Sequence, residues 1–143
     1  MTDKDIISKS TISADLATRV IDAATAKAVS LGKGFTIAIV DDSGLLKALC
    51  RMDSAPLISI QIAQDKAYTA VGFGIPSHGW YDFIKDDGPL ALGAPTGIDR
   101  LVVFGGGYPI VVGEALVGAI GVSGGHYSED MQVAEAGLGA LTP

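Results

Sequence analysis

Apolar residues recur at helical spacing soon after the start of the chain. Leu16, Val20, Ala23, Ala24, Ala28 and Leu31 fall on one stripe, the pattern of a helix with one face against a core. Ser13 supplies an N-cap and Asp15 an acidic first turn, and Gly32 and Gly34 end the helix. Residues 1–12 read as a polar tail, and residues 13–143 as one domain. Two strands follow over 35–41 and 45–52, joined by Asp41, Asp42, Ser43 and Gly44, which is hairpin chemistry. Ser54 and Pro56 then open a second helix carrying Leu57, Ile60, Ile62, Ala63, Ala67 and Val71, which stops at Gly72 and Gly74.

A shorter aromatic helix begins at Pro76 and Ser77 and runs through Trp80, Tyr81, Phe83 and Ile84. Residues 85–99, with Pro89, Pro95 and three glycines, read as a long loop, a place where function often sits. Strands are expected over 101–104, 108–112 and 116–122, with Gly113 and Glu114 as the last turn. A final helix over 128–141 places Val133, Ala134, Gly137, Leu138 and Leu141 on its apolar stripe. The order is αββααβββα. Short turns imply antiparallel pairing, so the expected class is α+β, a single five-stranded antiparallel sheet covered by helices.

Composition narrows the function. Hydrophobic residues make up 48% and charged residues 18% of the 143 positions, enough for a packed core. The net charge of −6 argues against nucleic acid or an anionic membrane as partner. No apolar run is long enough to span a bilayer, and the N-terminus is neither a signal peptide nor a lipidation site. A cytoplasmic location is the default. Cys50 is the only cysteine, which excludes an internal disulfide and a cysteine metal cluster. Its apolar neighbours suit an inert thiol.

Several residues could carry chemistry. Ser123-Gly124-Gly125-His126 follows a strand and opens the last helix, where free N–H groups and the helix dipole suit an anion. His126 could move a proton there, or serve only as a cap. His78 stands among Trp80, Tyr81 and Phe83, apolar walls that tune an acid–base group; the alternative is an ordinary surface or core histidine. Arg100 follows the long loop and suits a carboxylate clamp. Arg51 suits the same role, or an ion pair with Asp53 or Asp41. Gly105-Gly106-Gly107 lies between two strands, so it is a turn or bulge, or a place where ligand approaches bare backbone; it is not a dinucleotide fingerprint. His78, His126 and Asp130 or Glu129 lack ligand spacing, so no metal site is expected.

Several segments together carry a resemblance. They are Ile39-Val40-Asp41-Asp42-Ser43-Gly44, Arg51-Met52-Asp53-Ser54-Ala55, Ser59-Ile60 and Lys66-Ala67-Tyr68-Thr69-Ala70. Further on come Gly105-Gly106-Gly107-Tyr108-Pro109-Ile110 and residues 117–125, then Asp130, Val133, Ala134 and Ala136-Gly137-Leu138. In order and spacing this set resembles the GlcG/HbpS family, which includes the C-terminal domain of PduO-type proteins. The resemblance implies the fold, a homo-oligomer (octameric in one extracellular haem- and iron-binding member) and a small-ligand pocket. Some members bind haem; one relative resembles a deaminase and dechlorinase of aminochloromuconate.

Two departures from the family pattern set the functional expectation. After Ser-Gly-Gly the usual run is Thr-Pro-Glu-Gln-Asp, and here it is His126-Tyr127-Ser128-Glu129-Asp130. The haem-binding PduO-type domains use a histidine in the first helix, and this first helix has none. The expectation is therefore a catabolic enzyme acting on a small anionic, muconate-like carboxylic acid by hydrolytic deamination or dehalogenation, with no cofactor. His126 and His78 would be the acid–base pair and Arg100 or Arg51 the clamp. Gly106, Ser123, Gly124 and Gly125 would supply donors, with Trp80 and Tyr127 as walls. The alternatives are a non-catalytic protein binding haem or a corrinoid-related cofactor, and an accessory subunit of a catabolic complex.

Overall fold

The structure, a computed structural model, describes residues 4–141; residues 1–3 of the expected tail and 142–143 of the expected domain lie outside the described residues. Helix α1 spans Ala14–Leu31, with the Ser13 hydroxyl accepting the Leu16 N–H and Gly32 closing it at φ 71°. Strands β1 (Thr36–Asp41) and β2 (Leu46–Arg51) form a hairpin. Its turn is held by the Asp41 carboxylate, which accepts the N–H groups of Ser43 and Leu45. Helices α2 (Ser59–Phe73), α3 (Ser77–Ile84) and α4 (Gly88–Gly97) follow, then strands β3 (Gly107–Val112) and β4 (Ala115–Ser123) and helix α5 (Tyr127–Leu138), which tightens into a 3₁₀ turn over Gly139–Leu141.

The sheet is antiparallel in the order β2-β1-β4-β3. Strand periodicity divides the side chains between two layers. Ile37, Ile39, Ile120 and Val122 pack with Val20, Ala24, Val133 and Ala134 of α1 and α5. On the other face, Val40 and Ala119 meet Ala67, Ala70 and Val71 of α2. That second contact is very close. Gly107 and Gly121 are cross-strand partners, and a Cβ at Gly121 would lie 2.6 Å from the Ala67 nitrogen. Bare backbone at this point lets α2 lie almost on the sheet.

Three expectations are corrected. The sheet has four strands, not five, because residues 101–104 spend their hydrogen bonds on a helix: the Val102 N–H donates to Thr69 Oγ1, and that hydroxyl donates to the Arg100 carbonyl, both at 3.0 Å. The chain enters this segment through Arg100 at φ 63°, a left-handed conformation uncommon for a side-chain-bearing residue. The expected loop over 85–99 contains α4, whose start is signalled by Asp87 accepting the Leu90 N–H, with Pro89 in the first turn. Ser54 caps nothing: α2 begins at Ser59 after a turn in which the Ser59 N–H reaches the Pro56 carbonyl. The element order is αββαααββα.

Candidate functional site

Two clefts meet where α3, the 101–106 segment and α5 converge. The wider, about 590 Å³, is lined by His78, Tyr81 and Asp82 of α3, by Val103, Phe104 and Gly105, and by Tyr127 and Met131 of α5. The narrower, about 300 Å³, has Pro56, Ile58 and Ile62 on one side and Ser123, Gly124, Gly125 and His126 on the other, over a floor of Lys66 and Asp130. Phe104 and Tyr127 wall both. One hydroxyl fixes the junction: Ser77 Oγ donates to the Phe104 carbonyl at 2.7 Å and accepts the Gly107 N–H at 2.9 Å. The start of α3 is thereby tied to both ends of the glycine run.

Lys66 is wholly buried and Asp130 nearly so. Lys66 Nζ donates to Asp130 Oδ2 at 2.7 Å and to the Val122 carbonyl at 2.9 Å. It also lies 5.1 Å from the centre of the Phe104 ring. Asp130 Oδ1 accepts the Gly125 N–H. Burial pulls the Lys66 ammonium below its ordinary pKa, against the opposing pull of Asp130, and pushes the Asp130 carboxyl above its own. The pair was not singled out in the sequence, yet a signal was there. Positions 63, 66, 67 and 70, and likewise 130, 133, 134 and 137, share helical stripes that are otherwise apolar.

The helix start expected to bind an anion is filled from within. His126 is the N-cap of α5: its Nδ1 accepts the Ser128 N–H at 3.2 Å, while Glu129 accepts the His126 N–H. Glu129 in turn pairs with Lys33 at 2.8 Å, which holds its carboxyl below the usual range. The donors of Gly125 and His126 are thus taken by the chain's own carboxylates.

Of the other expected residues, His78 and Tyr127 face the wide cleft, while Ser123, Gly124 and Gly125 line the narrow one with His126. The two histidines therefore stand in adjoining clefts. Gly106, at φ 126°, sits behind Lys66, and a Cβ there would lie 2.8 Å from Nζ. Arg100, Arg51 and Trp80 line neither cleft. Arg100 pairs with Asp65 at 2.8 Å and stacks on Tyr68, Arg51 donates to the Ala55 carbonyl, and Trp80 packs against Phe73 and Phe83. Among the described residues no group of three or more His, Cys, Asp or Glu is placed to hold a metal ion, and no helix is long and apolar enough to cross a membrane.

The His78 ring lies edge-on to Tyr108, 5.8 Å between centres. Its Nδ1 is buried and has no hydrogen-bond partner. Tyr108 donates to Glu135 at 2.7 Å; burial and that carboxylate raise the phenol's pKa well above its usual value.

Comparison with known proteins places this geometry. Residues 12–139 match the family model described as "Haem degrading protein HbpS-like". The chain is 34% identical over 128 residues to an uncharacterized 15.0 kDa protein of Citrobacter freundii, covering 90% of each. A solved PduOC:heme complex superposes with a TM-score of 0.84 at 29% identity, over 92% of this chain and 96% of that one. A double mutant of HbpS from Streptomyces reticuli superposes at 0.86 and 29% identity, over 100% and 95%. The family description and that of the PduOC complex speak of haem. They overturn the expectation of a catabolic hydrolase or deaminase acting on a muconate-like acid, and set aside a small anionic substrate and the absence of a cofactor. The filled donors at the start of α5 give the physical reason on the substrate side. With nearly all of the chain inside the family model, this protein belongs to the HbpS-like family, the GlcG/HbpS family.

Proposed function

We propose that this chain binds haem in the wide cleft, with His78 as the protein's ligand to the iron. The observation that carries the reading is the buried, unpartnered Nδ1 of a histidine lining that cleft. A buried polar nitrogen without a partner is an incomplete site, and histidine is a common axial ligand of haem. The walls suit a flat macrocycle: Tyr81, Phe104 and Tyr127 are aromatic, and Met131 is apolar and adaptable. Lys85, 5.9 Å from the Tyr81 ring and 3.5 Å from the Asp82 carboxylate, is a cation near the cleft that a propionate would share with Asp82. When bound, haem supplies an iron open to axial ligation and redox change.

A homo-oligomer belongs to the same reading. Phe73, Phe83 and Leu92, from α2, α3 and α4, are more than half exposed, and apolar patches of this kind mark interfaces. Light scattering should show an assembly larger than the 14.6 kDa chain; a stable monomer at micromolar concentration removes this part.

Hemin titration followed by absorbance tests the main reading. The expected result is a saturable Soret band, with His78→Ala weakening binding roughly 10–100-fold or more, the cost of losing a partner at a metal site. An unchanged titration and spectrum in His78→Ala would assign the iron to another residue. No band at all would end the haem reading.

A further inference from the structure

The narrow cleft ends on a lysine that the haem reading does not use. Burying an ion pair costs more than packing apolar groups of equal size. The rest of the α2 stripe, Ala63, Ala67 and Ala70, is apolar and fully buried. Lys66 breaks that stripe at the one turn where it floors a cleft. Two of its donors are spent on Asp130 and the Val122 carbonyl. Its remaining side lies against the Phe104 ring, and that ring is 45% exposed. A turn of one surface aromatic side chain therefore separates the amine from solvent.

We propose that Lys66 captures small neutral aldehydes as a Schiff base in this cleft. Asp130 takes a proton from the ammonium, freeing the amine. Nζ then attacks the carbonyl carbon, forming the C–N bond as the C=O π pair moves onto oxygen, and that oxygen takes a proton from the newly bonded nitrogen to become a hydroxyl. Asp130 returns its proton to that hydroxyl, which leaves as water. The product is an iminium and one water from one ammonium and one aldehyde. The positive charge stays on Nζ beside Asp130, so the buried pair survives the reaction. Burial also lowers the ammonium's hold on its proton, which is how enzymes activate amine nucleophiles.

The surroundings set the ligand class. About 300 Å³ is the small end of ligand pockets. Pro56, Ile58 and Ile62 make one wall apolar. The N–H groups of Gly125 and His126, which would hold a carboxylate, already serve Asp130 and Glu129. An anionic carbonyl compound is disfavoured, and a short neutral aldehyde fits.

The test uses the haem-free full chain, propanal as probe and cyanoborohydride as the reductant that fixes the imine, with peptide mapping by mass. Lys66 should acquire its propyl group several-fold faster than the exposed Lys33, Lys47 and Lys85, because burial weakens the ammonium's hold on its proton and the cleft holds the aldehyde beside Nζ. Phe104→Ala should speed Lys66 further, and Lys66→Arg should abolish the fast phase. Glyoxylate, an anionic aldehyde, should label Lys66 more slowly than propanal. Propylation of the exposed lysines with Lys66 untouched, in wild type and in Phe104→Ala alike, would overturn the proposal. Equal rates for glyoxylate and propanal would overturn the neutral-ligand assignment. Neither readout depends on hemin binding, so the two readings fail separately.

Discussion

Lys66 Nζ and Asp130 Oδ2 lie 2.7 Å apart with almost no side-chain surface open to water, and they tie α2 to the first turn of α5. Removing one partner strands the other as an uncompensated buried charge. Lys66→Met or Asp130→Leu alone should each cost about 3–5 kcal/mol in urea unfolding. The double variant should cost much less than the sum, because no charge is left behind. Additive losses would show that the two side chains do not act as a pair.

Thr69 makes the segment 100–104 what it is. Its hydroxyl donates to the Arg100 carbonyl and accepts the Val102 N–H, standing in for a strand neighbour. Thr69→Val keeps the shape and removes both bonds. With two backbone groups left short of a partner, unfolding should become easier by about 1–3 kcal/mol. Hemin titration should weaken too, since Phe104 hangs from the same segment. A variant as stable as wild type would mean that water replaces the hydroxyl at no cost.

The same segment shows where reading the sequence stopped. Residues 101–104 look like a strand because a short, unbroken apolar run of β-prone residues is what a buried strand shows. What separates them from one is a partner 33 residues away, the Thr69 hydroxyl. Helix α4 was hidden by its glycines and prolines, although Asp87 and Pro89 carried a start signal. Local devices were legible: the Ser13 cap, the Asp41 turn and Gly113 at φ 63° all act within a few residues. Of the side chains lining the wide cleft, His78 and Tyr127 were candidates from the sequence. Lys66 could not, because a lysine in a helix is usually a solvated one, and only the apolar neighbours at 63, 67 and 70 betray its burial. The family was visible in motif order, whereas the wide cleft is built by side chains from three separated segments, which no local pattern announces.

His126 acts on α5 through its cap. Its ring accepts the Ser128 N–H, and its own N–H is held by Glu129. His126→Ala should cost about 0.5–2 kcal/mol of stability, and His126→Ser or His126→Asn should restore it, since those residues cap helices well. None of the three should change the Soret titration, because His126 lines the narrow cleft and not the wide one. A lost Soret band in a folded His126→Ala would move the iron ligand from His78 to His126.

Acid should expose the Lys33–Glu129 bridge. Hydrogen bonding to Lys33, then to the His126 N–H, holds the Glu129 carboxyl below its ordinary 4.5 in the folded chain. A depressed folded pKa gives stability that is fully present above the unfolded value. It disappears as pH falls through the folded one. Glu129 therefore helps at neutral pH and stops helping somewhat below pH 4.5. Asp42, lowered by Lys9, fades in the same direction. Asp130, raised by burial, works the other way and blunts the loss. The total acid limb thus mixes opposing groups, and the difference between wild type and Glu129→Gln isolates one of them. Thermal midpoints measured from neutrality downward should show Glu129→Gln less stable than wild type at neutral pH. The gap should close below pH 4.5, where the wild-type carboxyl also carries a proton. High salt at neutral pH should narrow the gap as well, because Lys33 is half exposed and the bridge is screened. A gap that stays constant across the acid range would show that the charge on Glu129 contributes nothing, either to Lys33 or to the His126 N–H.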